Sequence, residues 1–160
     1  MKYIYQKLTV AAMLAASMLS VSCELETSNN GKLDGFWHLE QIDTLKTGGI
    51  HDLSESYLFW AFQGKLLSVS EKHVVQKVGM ENDHVYLQEY LFRFSRPADS
   101  LVLSEPILSN RMVGDEIVTD PSVLRPYGIN ALEEHFKVEE MNSKRMVLST
   151  DSLRLWLRRF

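Results

Sequence analysis

His84-Val-Tyr-Leu-Gln-Glu-Tyr-Leu-Phe-Arg-Phe-Ser95 is the stretch whose reading decides the fold. Its side chains alternate with a period of two. Tyr86, Gln88, Tyr90, Phe92 and Phe94 share one face, and Val85, Leu87, Glu89, Leu91 and Arg93 share the other. No helical period fits this pattern, whereas a strand puts every second residue on the same side. Aromatic and β-branched residues at these positions suit a pleated, half-buried surface. Glu81-Asn82-Asp83 turns the chain into this strand, and Arg96-Pro97-Ala98-Asp99 turns it out again.

Outward from here the same rhythm recurs. Gly35 to Ile42 puts Trp37, Leu39 and Gln41 on one face. Thr44 to Ser54, containing Gly48-Gly49, reads as a loop. Ser56 to Gln63 is apolar on both faces. Gly64 suits a tight turn into Lys65 to Ser70, with a less clear continuation through Val74-Val75. Ser100 to Glu105 is a short strand, as are Glu133 to Glu140, Arg145 to Ser149 and Ser152 to Arg159. Between Pro106 and Ile129 the pattern breaks. There Asp120-Pro121 reads as an N-cap followed by a first helical residue, with Pro126 and Gly128 limiting the helix to one or two turns. Eight sequential antiparallel strands with one short helix predict an all-β, up-and-down barrel, which leaves no exposed sheet edge. The structural alternative is an open sandwich.

Composition agrees with one globular domain. The chain has 160 residues, of which 45% are hydrophobic and 24% charged, with a formal charge of −4. This excludes a disordered or collagenous chain. Mild acidity without a basic stripe argues against a nucleic-acid partner. The single cysteine excludes an internal disulfide and a zinc ribbon.

That cysteine has a particular setting. Residues 1–22 begin with Lys2 and Lys7 and run apolar and small from Leu8 to Leu19, with no acid before Glu24. This is the layout of a signal peptide, with an apolar run too short to span a bilayer. Leu19-Ser20-Val21-Ser22-Cys23 resembles a bacterial lipobox, with Ser20 at the position usually held by Leu and Leu19 one step further out. The resemblance implies lipidation at Cys23 and an N-terminal membrane anchor in the cell envelope. The outer membrane is the expected location, on either face. Residues 23–32 then read as a flexible tether to a domain of residues 33–160. Removing residues 1–22 takes two lysines and no acids, so the charge of −4 becomes −6. Glu24 and Glu26 fit an acidic surface-export signal and ordinary solvation equally well.

Gly35-Phe36-Trp37 resembles the Gly-x-Trp opening of lipocalins. The order of motifs is similar to that of small lipocalin-like lipoproteins of Gram-negative gut bacteria. These are an aromatic second strand, Tyr127-Gly128-Ile129, Met146-Val147-Leu148, and a final strand over Leu153 to Phe160. The Thr-Asp-Tyr type motif of a middle lipocalin strand is absent, so family ligand positions do not transfer. The resemblance implies that Trp37 seals the closed barrel end under an Arg of the last strand. Arg158 and Arg159 are both eligible, and Arg159 shares parity with Leu153, Leu155 and Leu157.

No catalytic or metal motif is present. His38, His51, His73, His84 and His135 show no ligand spacing with a carboxylate partner. His38 and Glu40 share a strand face expected to point outward, and the pairs Glu133-Glu134 and Glu139-Glu140 read as solvated strand ends. No cofactor and no enzymatic activity are expected. The functional lead is the aromatic stripe. Phe59, Tyr86, Gln88, Tyr90, Phe92 and Phe94 form a candidate ligand pocket, with Trp60 the alternative to Phe59. The plainer reading of the same residues is a filled core. Trp60 and Trp156 are candidates for an outer surface that contacts a partner, or for packing beneath the short helix. Two functions follow: binding of a small apolar or amphiphilic ligand, or a filled barrel that docks another envelope protein.

Overall fold

The computed structural model describes residues 28–75 and 84–160. The expected signal peptide, Cys23, the start of the tether and the Glu81-Asn82-Asp83 turn lie outside the described residues. Ten strands are present among those described: β1 Gly35–Thr44, β2 Gly49–Asp52, β3 Leu58–Gln63, β4 Leu66–Val75, β5 His84–Ser95, β6 Ser100–Leu108, β7 Glu116–Ile117, β8 Glu134–Met141, β9 Arg145–Ser149 and β10 Leu153–Arg159. Eight of them close an antiparallel barrel in the order β1, β3, β4, β5, β6, β8, β9, β10, and β10 pairs back to β1. The open sandwich is thereby excluded.

The two extra strands lie where the sequence showed only loops. β2 folds back on β1, pairing Thr44 with Gly49, and so uses the Gly48-Gly49 turn. β7 pairs two residues with the end of β6. β6 itself runs past Pro106 to Leu108. Pro106 cannot donate to a ladder. The chain answers with a bulge: Leu91 faces Ile107 while Arg93 faces Ser104, and Glu105 takes a φ of +52°.

Strand direction sets the two ends. The narrow end carries the start of β1, the Gly64 turn, the 96–99 turn and the end of β10. The other end, here called the mouth, carries the β4–β5 tips, the long 109–133 excursion and the β9–β10 turn. At the narrow end, residues 31–33 form a short 3₁₀ turn whose Leu33 is fully buried. Asn30 ties the same segment to the barrel by donating to the Gly64 carbonyl at 2.7 Å.

At the mouth, Pro121–Tyr127 is the expected short helix, of 3₁₀ type. Asp120 caps it by accepting from the Ser122 N–H at 2.9 Å. Gly128 ends it in the left-handed region, at φ +79°. A Cβ there would sit 2.7 Å from Leu155 Cδ2, so any other residue meets both backbone strain and a clash. This close approach lets Leu124, Tyr127 and Ile129 enter the barrel as buried core.

Three inward assignments differ from those read in the sequence. A bulge between Leu39 and Gln41 shifts the register of β1 against β10, so Ile42 rather than Gln41 turns inward. On β3, Leu58, Trp60 and Phe62 are buried, so Trp60 is core and Phe59 lies on the outer face. Alternation alone could not orient a strand that is apolar on both sides. The pairing of Trp37 with Trp60 does so. Glu134, read as a solvated strand end, is buried, and its carboxylate accepts from the Asn130 N–H at 2.6 Å and the Ala131 N–H at 3.1 Å.

Candidate functional site

The interior is built from rows of inward side chains. Trp60 meets Phe136 edge-on at 5.9 Å, and Phe62 meets Phe94 at 5.1 Å and 89°. Phe92, Leu67, Leu101, Leu103 and Leu148 are buried in the same core cluster. Leu33 closes it from the narrow end and Leu124 from the mouth. Of the candidate pocket residues, Phe92 and Phe94 therefore belong to a packed core. Phe59 is outside the barrel, where its ring lies 5.1 Å from both His38 and Phe160. The side chain of Tyr86 lies outside what is described.

Tyr90 and Gln88 stand one step nearer the mouth, and here the wall changes character. The Gln88 side-chain amide donates to the Tyr90 hydroxyl at 2.7 Å. Tyr90 packs edge-on against Tyr127 at 5.3 Å. The Tyr127 hydroxyl lies near the carboxylate of Glu71, which is directly opposite Gln88 across β4 and β5. Burial raises the Tyr127 pKa above the ordinary phenol value, and the charge of Glu71 and the neighbouring Tyr90 raise it further. The phenol therefore stays protonated and acts as a donor throughout the physiological range. The result is a polar ring of Glu71, Gln88, Tyr90 and Tyr127 set on an aromatic floor. Glu71 had no role in the sequence reading. It is next in the inward series Leu67, Val69, Glu71, and that alternation was the available signal.

The narrow end is closed by Trp37. Its ring is fully buried and its Nε1 donates to the Leu33 carbonyl at 2.8 Å. The Arg159 guanidinium carbon lies 5.3 Å from the ring centroid, and Nη1 donates to the Lys32 carbonyl at 2.8 Å. Gly35, at φ +111°, leaves room for this: a Cβ there would stand 2.7 Å from Arg159 Nη2. Arg158 points outward and pairs with Glu40.

On the outer wall, Trp156 donates from Nε1 to Asp43 at 2.7 Å. His38 also lies on that wall, but it is buried rather than solvated, with Nε2 2.8 Å from the Ser56 carbonyl. Among the described residues, no group of three or more His, Cys, Asp or Glu could hold a metal ion, and no helix is long and apolar enough to cross a membrane.

No curated protein matches the chain. Two solved structures share its fold. One is a lipocalin-like protein from Bacteroides uniformis, with TM-score 0.56 and 21% identity, covering 81% of this chain and 100% of that one. The other is an uncharacterized protein from Bacteroides eggerthii, with TM-score 0.55 and 16% identity, covering 80% and 99%. The model of the lipocalin-like domain family matches residues 17–160, so this closed barrel with its Gly-x-Trp seal belongs to a protein of the lipocalin-like family.

Proposed function

We propose that the protein is a lipid-anchored envelope protein that binds a small amphiphilic ligand at the barrel mouth. The observation that carries this is the polar cluster of Glu71, Gln88, Tyr90 and Tyr127, set in an otherwise apolar wall beneath the 121–127 segment that contributes Tyr127. A polar group inside a barrel costs free energy unless it is satisfied. Ligand sites combine an apolar wall with a few such groups, which fix orientation. The packed floor leaves no depth for a wholly buried apolar guest. The ligand therefore presents its head group to the ring and rests its tail against the mouth.

A carboxylate in the ring favours a cationic or hydrogen-bond-donating head group. A fluorescent alkylamine is expected to bind the full chain about tenfold more tightly than the carboxylate of the same length, which corresponds to roughly 1.4 kcal/mol. Glu71→Gln should abolish that preference. Absence of saturable binding by either probe would remove the reading. It would favour the second one, docking to another envelope protein, which rests on the exposed apolar loop of Met112, Val113 and Ile117 (94%, 77% and 80% accessible).

Anchoring through Cys23 rests on the lipobox-like stretch and the lone cysteine. Globomycin should make the unprocessed precursor accumulate in cells. Normal maturation in its presence would exclude lipidation. Several acyl chains, at about 0.8 kcal/mol per buried methylene, would make the anchoring effectively permanent.

A further inference from the structure

A groove of about 320 Å³ lies on the outside of the wall, between β1, β10 and the start of β9. Glu40, Gln41, Lys144, Arg145, Trp156 and Arg158 line it. The β1 bulge that redirects Ile42 lies in its wall: the extra residue is Glu40, and a bulge bends its strand and re-aims the side chains beside it.

The lining is held in place. The Trp156 ring is fixed by its bond to Asp43, and the Gln41 amide nitrogen donates to the other oxygen of the same carboxylate at 2.6 Å. The amide oxygen of Gln41 is left to accept. Asn142 accepts from the backbone N–H groups of Lys144 and Arg145, at 2.8 Å each, and so fixes the turn that carries both cations. Arg158 engages Glu40 through Nε alone, and a guanidinium has further donors. Arg145 reaches Glu140 only at 4.0 Å, and among the described residues Lys144 has no acidic partner.

Lys144, Arg145 and Arg158 thus share the lining with one carboxylate, Glu40, while Glu140 lies at the edge beside Arg145 and the Asp43 carboxylate is taken up by Trp156 and Gln41. Such a groove selects an anion, and guanidinium forks match carboxylate and phosphate oxygens. The Trp156 indole, part-buried in the same lining, adds apolar surface beside the cations. The Glu40 and Gln41 oxygens add acceptors that a simple aromatic acid could not use but ring hydroxyls could. The volume lies at the small end of ligand sites, which run from roughly 300 to 1,000 Å³, and suits one ring rather than a chain.

We propose that this groove binds an acidic monosaccharide: a pyranose ring whose apolar face stacks on Trp156 and whose carboxylate or phosphate meets Lys144, Arg145 and Arg158. The site is separate from the mouth and does not depend on ligand binding there.

Titration of the full chain with glucuronate and with glucose 6-phosphate, followed by ligand-observed NMR, tests the proposal. Saturable binding is expected at about 1 mM or tighter, with glucose and benzoate each about tenfold weaker. The stronger of the two acidic sugars identifies whether carboxylate or phosphate is the preferred anion. Because Trp37 and Trp60 are fully buried, the tryptophan emission change should come from Trp156. The exposed double variant Lys144→Gln/Arg145→Gln should lose about tenfold in affinity while its circular dichroism stays unchanged. Equal binding of glucose or benzoate, unchanged binding in the double variant, or no saturation by about 20 mM would each overturn the proposal.

Discussion

Replacing Trp60 with alanine is expected to lower the unfolding free energy by about 3–5 kcal/mol. The ring is fully buried in the middle layer, edge-on to Phe136 and 6.3 Å from Phe62. Removing it opens a cavity between three strands that their pairings hold apart, so the walls cannot collapse to fill it. The indole N–H is buried without a hydrogen-bond partner among the described residues. The ring therefore stabilises by packing alone, and its donor carries a desolvation cost. Trp60→Phe should consequently cost much less, under about 1.5 kcal/mol, because it keeps most of the ring and removes the orphan donor. Urea unfolding followed by far-ultraviolet circular dichroism measures both. A cost below about 1 kcal/mol for Trp60→Ala would mean that the barrel interior is loosely filled, with room for a guest beneath the mouth.

The architecture was legible where the two faces of a strand differ clearly, one carrying the bulky apolar row and the other most of the charges. β5, with Tyr90, Phe92 and Phe94 inward, and β10, with Leu153, Leu155 and Leu157, read the same way in sequence and in space. The Asp120-Pro121 start and the Gly128 stop of the short helix were local chemistry, and local chemistry is visible in a sequence. What failed had non-local causes. The inward side of β3 is chosen by its pairing with β1, and no feature of Ser56 to Gln63 separates Phe59 from Trp60. The bulge at Glu40 arises from the register of β1 against β10, which are more than a hundred residues apart in the chain. Glu71 continues the inward series of Leu67 and Val69, but the clear alternation in the sequence ends at Ser70, one residue before it. The same bulge turns Ile42 inward and sets Glu40 and Gln41 beside each other in the outer groove.

At the narrow end, Trp37→Ala should cost as much as the change in the middle layer, about 3–5 kcal/mol, but for a different reason. Trp37 is the hub of a seal. Its Nε1 holds the Leu33 carbonyl, its ring lies under the Arg159 guanidinium, and Leu33 plugs the space beneath. Without the ring, Arg159 keeps only its bond to the Lys32 carbonyl, and the 31–33 turn loses its main contact. Arg159→Lys tests the stack separately. An ammonium keeps the charge but loses the planar fork, so about 1–2 kcal/mol should be lost. The double variant decides whether the two residues act together. If the stack is real, the combined cost falls short of the sum by about 0.5–2 kcal/mol, because the second change removes an interaction already broken. Strict additivity would mean that Arg159 serves only as a strap on the backbone at Lys32. The Gly35 position would then be explained by its φ of +111° rather than by the passage it leaves for the guanidinium.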